Sequence, residues 1–320
     1  MRRGTKVWLT VAACLVLLGC ILFTGVMVML KWDFSKLSTV KYETNHYEIV
    51  EDYMNLSILT KTADIVLVPS ENQKTSVVCH EQNNRKHSVT VKDGTLVIAV
   101  ADTTKWYEHI GIFFGTPKIT VYIPQGEYGR ISIRSNTGDV EIAKEFKFES
   151  MDVSENTGNV TNYASASEGI RIKTSTGNIR VENISAGALE LSVTTGDVTA
   201  SGVSCQGDVS VSVSTGKTYL TDIVCKSVIS SGRTGDISLN HVIASESFTL
   251  KRSTGDIRFH GADAAEIFAE TDTGDVTGML LSDKVFLAQT DTGDVDVPKT
   301  ATGGRCEITT TTGNIKITVG

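Results

Sequence analysis

Proline is almost missing from this sequence, at 4 in 320 residues, and aromatic residues make up only 7%. Beside 28 glycines and 40% hydrophobic residues, that scarcity argues against a compact helical protein. It favours many short strands joined by tight turns. All three tryptophans (Trp8, Trp32 and Trp106) precede residue 131, so the long C-terminal part has none to stack on a sugar. Excess positive charge is also missing, with a net of −7. Residues 31–320 hold 27 basic against 37 acidic residues, a net of −10, so charge alone draws the chain neither to nucleic acid nor to an anionic bilayer. The histidines lack metal-ligand spacing, and no metal, cofactor or catalytic residue is expected.

One stretch carries no charge at all. Val7 to Leu30 is a 24-residue apolar run, long enough to cross a bilayer with some tilt. Arg2, Arg3 and Lys6 precede it, which places residues 1–6 in the cytoplasm, a transmembrane helix at 7–30, a linker at 31–39 and the rest outside the cell membrane. A cleaved signal peptide is the competing reading, but its apolar region is usually shorter and no small-residue cleavage site closes this one. Leu17-Leu18-Gly19-Cys20 resembles a lipobox, yet ten more apolar residues follow the cysteine. A retained single-pass helix is expected.

The dominant pattern begins at Thr137. Thr-Gly, followed nine times in ten by Asp or Asn, recurs with glycine at Gly138, Gly158, Gly177, Gly196, Gly216, Gly235, Gly255, Gly274, Gly293 and Gly313, at intervals of 19 or 20. Aligned on the glycine, position −7 is apolar in every copy, from Ile131 and Met151 through Phe286 to Cys306. Positions −5 and +2 are nearly as uniform, and Ile184, Val203, Ile223, Val242 and Leu281 supply a later inward position. The period of two marks a strand on each side of the corner. One such unit cannot bury its apolar face alone, whereas stacked units form a continuous core. The expected fold is all-β: a parallel β-solenoid, a right-handed β-helix by the usual crossover rule, of about ten coils and about 45–50 Å.

At each corner, glycine supplies an unusual φ and Asp or Asn is expected to bond back to its own turn. Asn159, Asn178 and Asn314 replace Asp, so the charge is dispensable. Residues 131–320 are assigned to regular coils and 40–130 to an irregular β cap with the first coils. Within the latter, Lys61-Thr62-Ala63-Asp64-Ile65 reads as a degenerate corner and Lys92-Asp93-Gly94-Thr95 as a hairpin turn. At the far end the chain stops at Gly320 directly after strand Asn314–Val319, which makes that strand the expected uncapped edge.

Chemistry is thinly represented. The column Asp139, Asp197, Asp236, Asp256, Asp275 and Asp294 could bind calcium between coils, but Asn at three copies and Lys217 at a fourth break it. A polysaccharide-active enzyme would need paired carboxylates walled by long loops, and the even intervals leave no room for such loops. Trp106, Tyr107, His109, Phe113 and Phe114 form the longest non-repeating insertion. They are expected to plug the solenoid end, with Trp106, Tyr107, Phe113 and Phe114 as the candidate partner contact. Cys205 and Cys225 fall one above the other in adjacent coils, within disulfide reach, but are read with Cys79 and Cys306 as small core residues.

The apolar N-terminal anchor, the Lys61–Pro69 opening, Ile123-Pro124 and the serial Thr-Gly-Asp coils together resemble the bacterial putative-adhesin family of unknown function, which includes LiaG-like envelope proteins. The resemblance covers residues 40–320 and implies a cell-surface role without established catalysis. A non-catalytic envelope protein that binds wall polymer or an envelope protein is therefore expected. Self-assembly through the uncapped terminal coil is the alternative, and a cryptic polysaccharide-active enzyme is a remoter one.

Overall fold

The computed structural model describes residues 3–33, 42–101 and 115–320. A helix runs from Arg3 to Met29, and its Gly4–Met29 span contains an 18-residue window with a mean hydropathy of 2.7, long and apolar enough to cross a membrane. Its hydroxyls bond within the helix, Thr10 to the Lys6 carbonyl at 2.9 Å and Thr24 to the Cys20 carbonyl at 2.7 Å. That leaves neither group unpaired in an apolar surrounding. The helix ends where Lys31 and Trp32 turn to φ of 55° and 59°.

The rest is a parallel β-solenoid, described here by coils named after their corner glycines. Strands on each side of a corner pair in parallel with those of the adjacent coils: Met151 sits between Ile131 and Ile170, and Val160 between Val140 and Ile179. Alternate residues point inward, and Val153, Ile172, Leu191 and Leu250 are fully buried. Each contributes about 1.5–3 kcal/mol as apolar surface removed from water. The later inward position holds at Ile184, Val203, Ile223 and Val242 but not at Leu281, which is exposed while Leu280 is buried. The register shift between His260 and Ala262 moves the inward role back by one residue.

The ten Thr-Gly corners require glycine for two reasons. Its φ lies between 120° and 155°, a region closed to residues with a Cβ. A Cβ on Gly158 would also stand 1.9 Å from the Gly138 carbonyl oxygen, and one on Gly216 would stand 2.0 Å from that of Gly196. Coils are stacked through this column of bare backbone.

Stacking order departs from chain order at both ends. The Ala63 coil, with strands Asn55–Leu59 and Asp64–Pro69, lies against the Gly138 coil on one side. Its other side meets a later stretch of chain, Thr95–Ala101 and Lys118–Ile123. At the opposite end Gly304–Thr312 inserts between Ile257–Thr273 and Lys284–Thr292. Backbone bonds fix this order, with Gly274 N–H donating to Thr312 O at 2.9 Å and Gly313 N–H to Thr292 O at 3.0 Å. Strand Ile315–Val319 pairs with Val276–Leu280 along its whole length and is covered on its other side at Ile315 and Lys316, so the expectation that it forms the free edge is corrected: among the described residues the outermost coil is the earlier one, Lys284–Asp296.

The N-terminal end of the stack is closed by antiparallel strands. Lys86–Lys92 pairs with Thr95–Ala101 through a turn in which Asp93 and Gly94 both have positive φ. Thr75–Gln82 pairs with Lys118–Ile123 and carries Tyr42–Ile49 on its outer side.

Candidate functional site

The acidic column is a ladder between coils rather than a set of separate turns. Asp64 Oδ1 accepts from Asp139 N–H at 3.0 Å, Asp139 from Asn159 at 2.7 Å, Asn159 from Asn178 at 3.0 Å, and Asn178 from Asp197 at 2.8 Å. The expected bond from each side chain to its own turn is thus corrected. Because the carboxylate and the amide share that acceptor oxygen, Asp and Asn interchange freely. Lys217 donates its own N–H to Asp197 and brings its ammonium to 3.5 Å from Asp236. Asp236 also meets Arg258 at 3.0 Å. Burial alone would raise its pKa, but the Asp256 N–H and the Arg258 and Lys217 cations hold it below the usual value.

Three residues before every corner glycine but Gly235, an inward side chain faces the corner of the adjacent coil. Thr271 and Thr310 donate to the carbonyls of Gly255 and Gly274, each at 3.0 Å, and Thr290 to that of Gly313 at 2.9 Å. Arg252 takes the same role, with Nε on Gly235 O at 3.1 Å and Nη2 on Thr218 Oγ1 at 2.8 Å; burial lowers its pKa to about 10. Its guanidinium lies over Gly232, where a Cβ would stand 2.5 Å from Nη1. Glu155 occupies this position without a hydroxyl to donate. It is 2% exposed, its Oε2 has no partner, and burial raises its pKa.

Three regions stand out. The first is the open end. Strand Lys284–Thr292 pairs with Gly304–Thr312 on one side, and among the described residues no strand covers the other. Val295 is 44% exposed there, whereas its counterparts Val276 and Ile315 are fully buried. The outward residues Leu287 and Val285 are 51% and 38% exposed. The outward position of Val285 is polar or small in the other coils, Arg130 among them, whereas that of Leu287 holds Asp152 and Glu190 in some coils and Ile229 and Phe268 in others. The second surface is a shallow groove of about 550 Å³ on the side of the stack, flanked by Tyr128 and Phe148 and floored by Ala166 and Ala186. Its rim holds a Lys147–Glu127 ion pair at 3.5 Å.

The third is a buried polar cluster in the cap, where the topology brings together residues that the sequence keeps apart. Cys79 and Glu81 share one face of a strand, and the tight turn from Gln82 to Arg85 returns His87 to them. Glu81 Oε2 accepts from His87 N–H at 2.7 Å and bonds His87 Nδ1 at 2.6 Å, while its Oε1 accepts from Asn45 Nδ2 at 2.7 Å. Thr60 Oγ1 meets His87 Nε2 at 3.0 Å. Burial pushes the Cys79 thiol up to about 12. The alternating buried positions of strand 75–82 were the available signal, but the turn that adds His87 is not written in a spacing.

Trp106, Tyr107, His109, Phe113 and Phe114 lie outside the described residues. Cys205 and Cys225 are buried free thiols, as are Cys79 and Cys306. A family profile, Toastrack DUF4097, matches residues 53–212 and 204–320. This chain belongs to the Toastrack DUF4097 family. No curated protein matches it. Among solved structures, this Toastrack chain is similar to a putative adhesin from Parabacteroides distasonis ATCC 8503, at 11% identity and a TM-score of 0.51, covering 88% of this chain and 98% of that one. A putative adhesin from Bacteroides fragilis NCTC 9343 matches at 17% identity and a TM-score of 0.42, over 87% and 97% of the two chains. A putative lipid binding protein from Parabacteroides distasonis ATCC 8503 matches at 15% and 0.40, over 88% and 98%. The first of these supports the Toastrack fold alone.

Proposed function

We propose that this protein is a non-catalytic binding component of the cell envelope, held by its N-terminal helix with the solenoid outside the membrane. It docks an extended segment of a protein partner along Lys284–Thr292. The observation that carries this reading is the edge that no described strand covers: a nine-residue strand paired on one side only, backed by the partly buried Phe286 and Ala288. Such an edge adds another strand through main-chain hydrogen bonds, and alternate side chains set the specificity. Wall glycan is the weaker occupant here, because no tryptophan lies in the coils to stack on a sugar. The even coils also build no loop-walled cleft of the kind a polysaccharide-active enzyme needs.

A second copy of the chain is favoured by one further feature. Val285–Thr290 holds six residues with no charge and no proline, the composition that pairs with itself when exposed on an edge. Antiparallel pairing would form a two-fold contact that closes on itself. A photo-crosslinker at position 287 of the full-length protein in its native envelope separates the readings. Capture of one distinct envelope protein supports the docking reading, and capture of a second copy supports self-pairing. Binding to isolated sacculi that survives Leu287→Lys would move the contact to the lateral groove and overturn the edge.

A further inference from the structure

We propose that Cys79, Glu81 and His87 form a zinc site that pins two antiparallel strands of the cap, Thr75–Gln82 and Lys86–Lys92, to each other. Their donor atoms, a thiol sulfur, a carboxylate oxygen and an imidazole nitrogen, all lie within 4.8 Å of one another, and all three residues are buried. This mixed set suits zinc, a borderline-soft ion that takes sulfur, nitrogen and oxygen ligands together. It is ill suited to calcium or magnesium, which require oxygen donors.

The surroundings are those of a supported metal site. A ligating imidazole usually donates its second N–H, and a ligating carboxylate is itself held by hydrogen bonds. Thr60 stands at His87 Nε2, and Asn45 holds the second oxygen of Glu81. A cavity of about 30 Å³ lies against Glu81 and His87, sized for about one water. Gln82 lines the same cavity, and its buried Oε1 has no hydrogen-bond partner. A water in the fourth zinc position would supply that partner.

Loading requires one local adjustment. Glu81 Oε2 and His87 Nδ1 are 2.6 Å apart, bridged by a proton, whereas two ligands of one tetrahedral zinc stand about 3.3 Å apart. When zinc takes Nδ1, the ring proton passes to Nε2, where it is donated to Thr60. The Cys79 thiol loses its proton to solvent, so one proton leaves per zinc bound. The strands joined are Thr75–Gln82 and Lys86–Lys92, both part of the closed end, and the site is independent of the docking edge.

Cobalt substitution tests this directly. Full-length protein in detergent, stripped with a chelator, is titrated with Co²⁺. The expected result is one equivalent bound, with a thiolate-to-cobalt charge-transfer band that Zn²⁺ removes, Cys79→Ser abolishes and Cys306→Ser retains. Zinc should raise the melting temperature of the wild type and leave that of His87→Gln unchanged. A folded wild type without the charge-transfer band, or a band that persists in Cys79→Ser, overturns the proposal. If Cys79→Ser does not fold, X-ray absorption of the zinc-loaded wild type decides: one sulfur in the first shell supports the site, and an all-nitrogen and oxygen shell refutes it.

Discussion

The two ends of the stack solve the same problem in opposite ways. A parallel coil leaves a row of unpaired backbone groups at each end. At the N-terminal end that row is covered by antiparallel strands whose own edges carry charge, Glu43 and Glu48 on one and Lys86 and Lys92 on the other. At the C-terminal end the last level is Lys284–Asp296, with Val285 through Thr290 uncharged along its edge. Both ends nevertheless insert one coil out of chain order: Asn55–Pro69 at the first and Gly304–Val319 at the second. Chain order and stacking order are therefore separate properties of a solenoid. The difference between the ends lies in what covers them rather than in how they are wound.

The largest test of this comparison is truncation after residue 303. Were coils stacked in chain order, this would trim one end level. Here it removes an interior level containing the buried Cys306, Ile308, Ile315 and Ile317 and leaves Lys284–Asp296 without a neighbour. The expected loss is on the order of 6 kcal/mol from those side chains, with both coils unfolding by proteolysis or urea titration. Next in size, Gly216→Ala in the shared interior should cost about 2–4 kcal/mol, because it combines a glycine-only φ with a collision against the Gly196 carbonyl.

Edge substitutions sharpen the contrast between the ends. Leu287→Lys is expected to abolish partner capture or self-association while changing stability by less than about 0.5 kcal/mol. Thr90→Lys on the already charged N-terminal edge should change neither, as sedimentation and thermal melts would reveal.

Glu155→Thr copies Thr271 and Thr310 and places a donor where Glu155 has none; it should stabilise the fold by about 1 kcal/mol at neutral pH. The sign follows from the raised pKa of Glu155. A carboxyl that holds its proton more tightly in the folded state contributes stability below its unfolded pKa and loses it as pH rises through the folded value. The gain from Glu155→Thr should therefore be full at neutral pH and shrink as pH falls into the ordinary carboxylate range. Smallest of all, Asp197→Asn should leave melting nearly unchanged, whereas Asp197→Ala should cost about 1 kcal/mol by removing the acceptor for the Lys217 N–H.

Much of the fold was legible in the residues. The glycine period set the coil, the alternation around it named the buried positions, and Ala63-Asp64 was readable as a corner because Asp64 sits at the ladder's position. The stacking order was not legible, for a physical reason: every coil presents nearly the same inward and outward pattern, so any coil fits beside any other. One trace was available in Pro298, Gly303 and Gly304, which mark the stretch that carries the chain back to the inserted level. The ladder is not legible in the spacing, because an Asp side chain reaches its own turn and the next coil equally well. The cluster of Cys79, Glu81 and His87 is not legible either, because a turn, rather than a spacing, assembles it.

Amide hydrogen exchange on the full-length protein tests the central claim most directly. Residues 304–316 should exchange as slowly as 257–273, while the outer edge of 284–292 exchanges much faster. Slow exchange in 284–292 together with fast exchange in 304–316 would show that the chain stacks in sequence order, and would remove the open edge on which the proposed binding function rests.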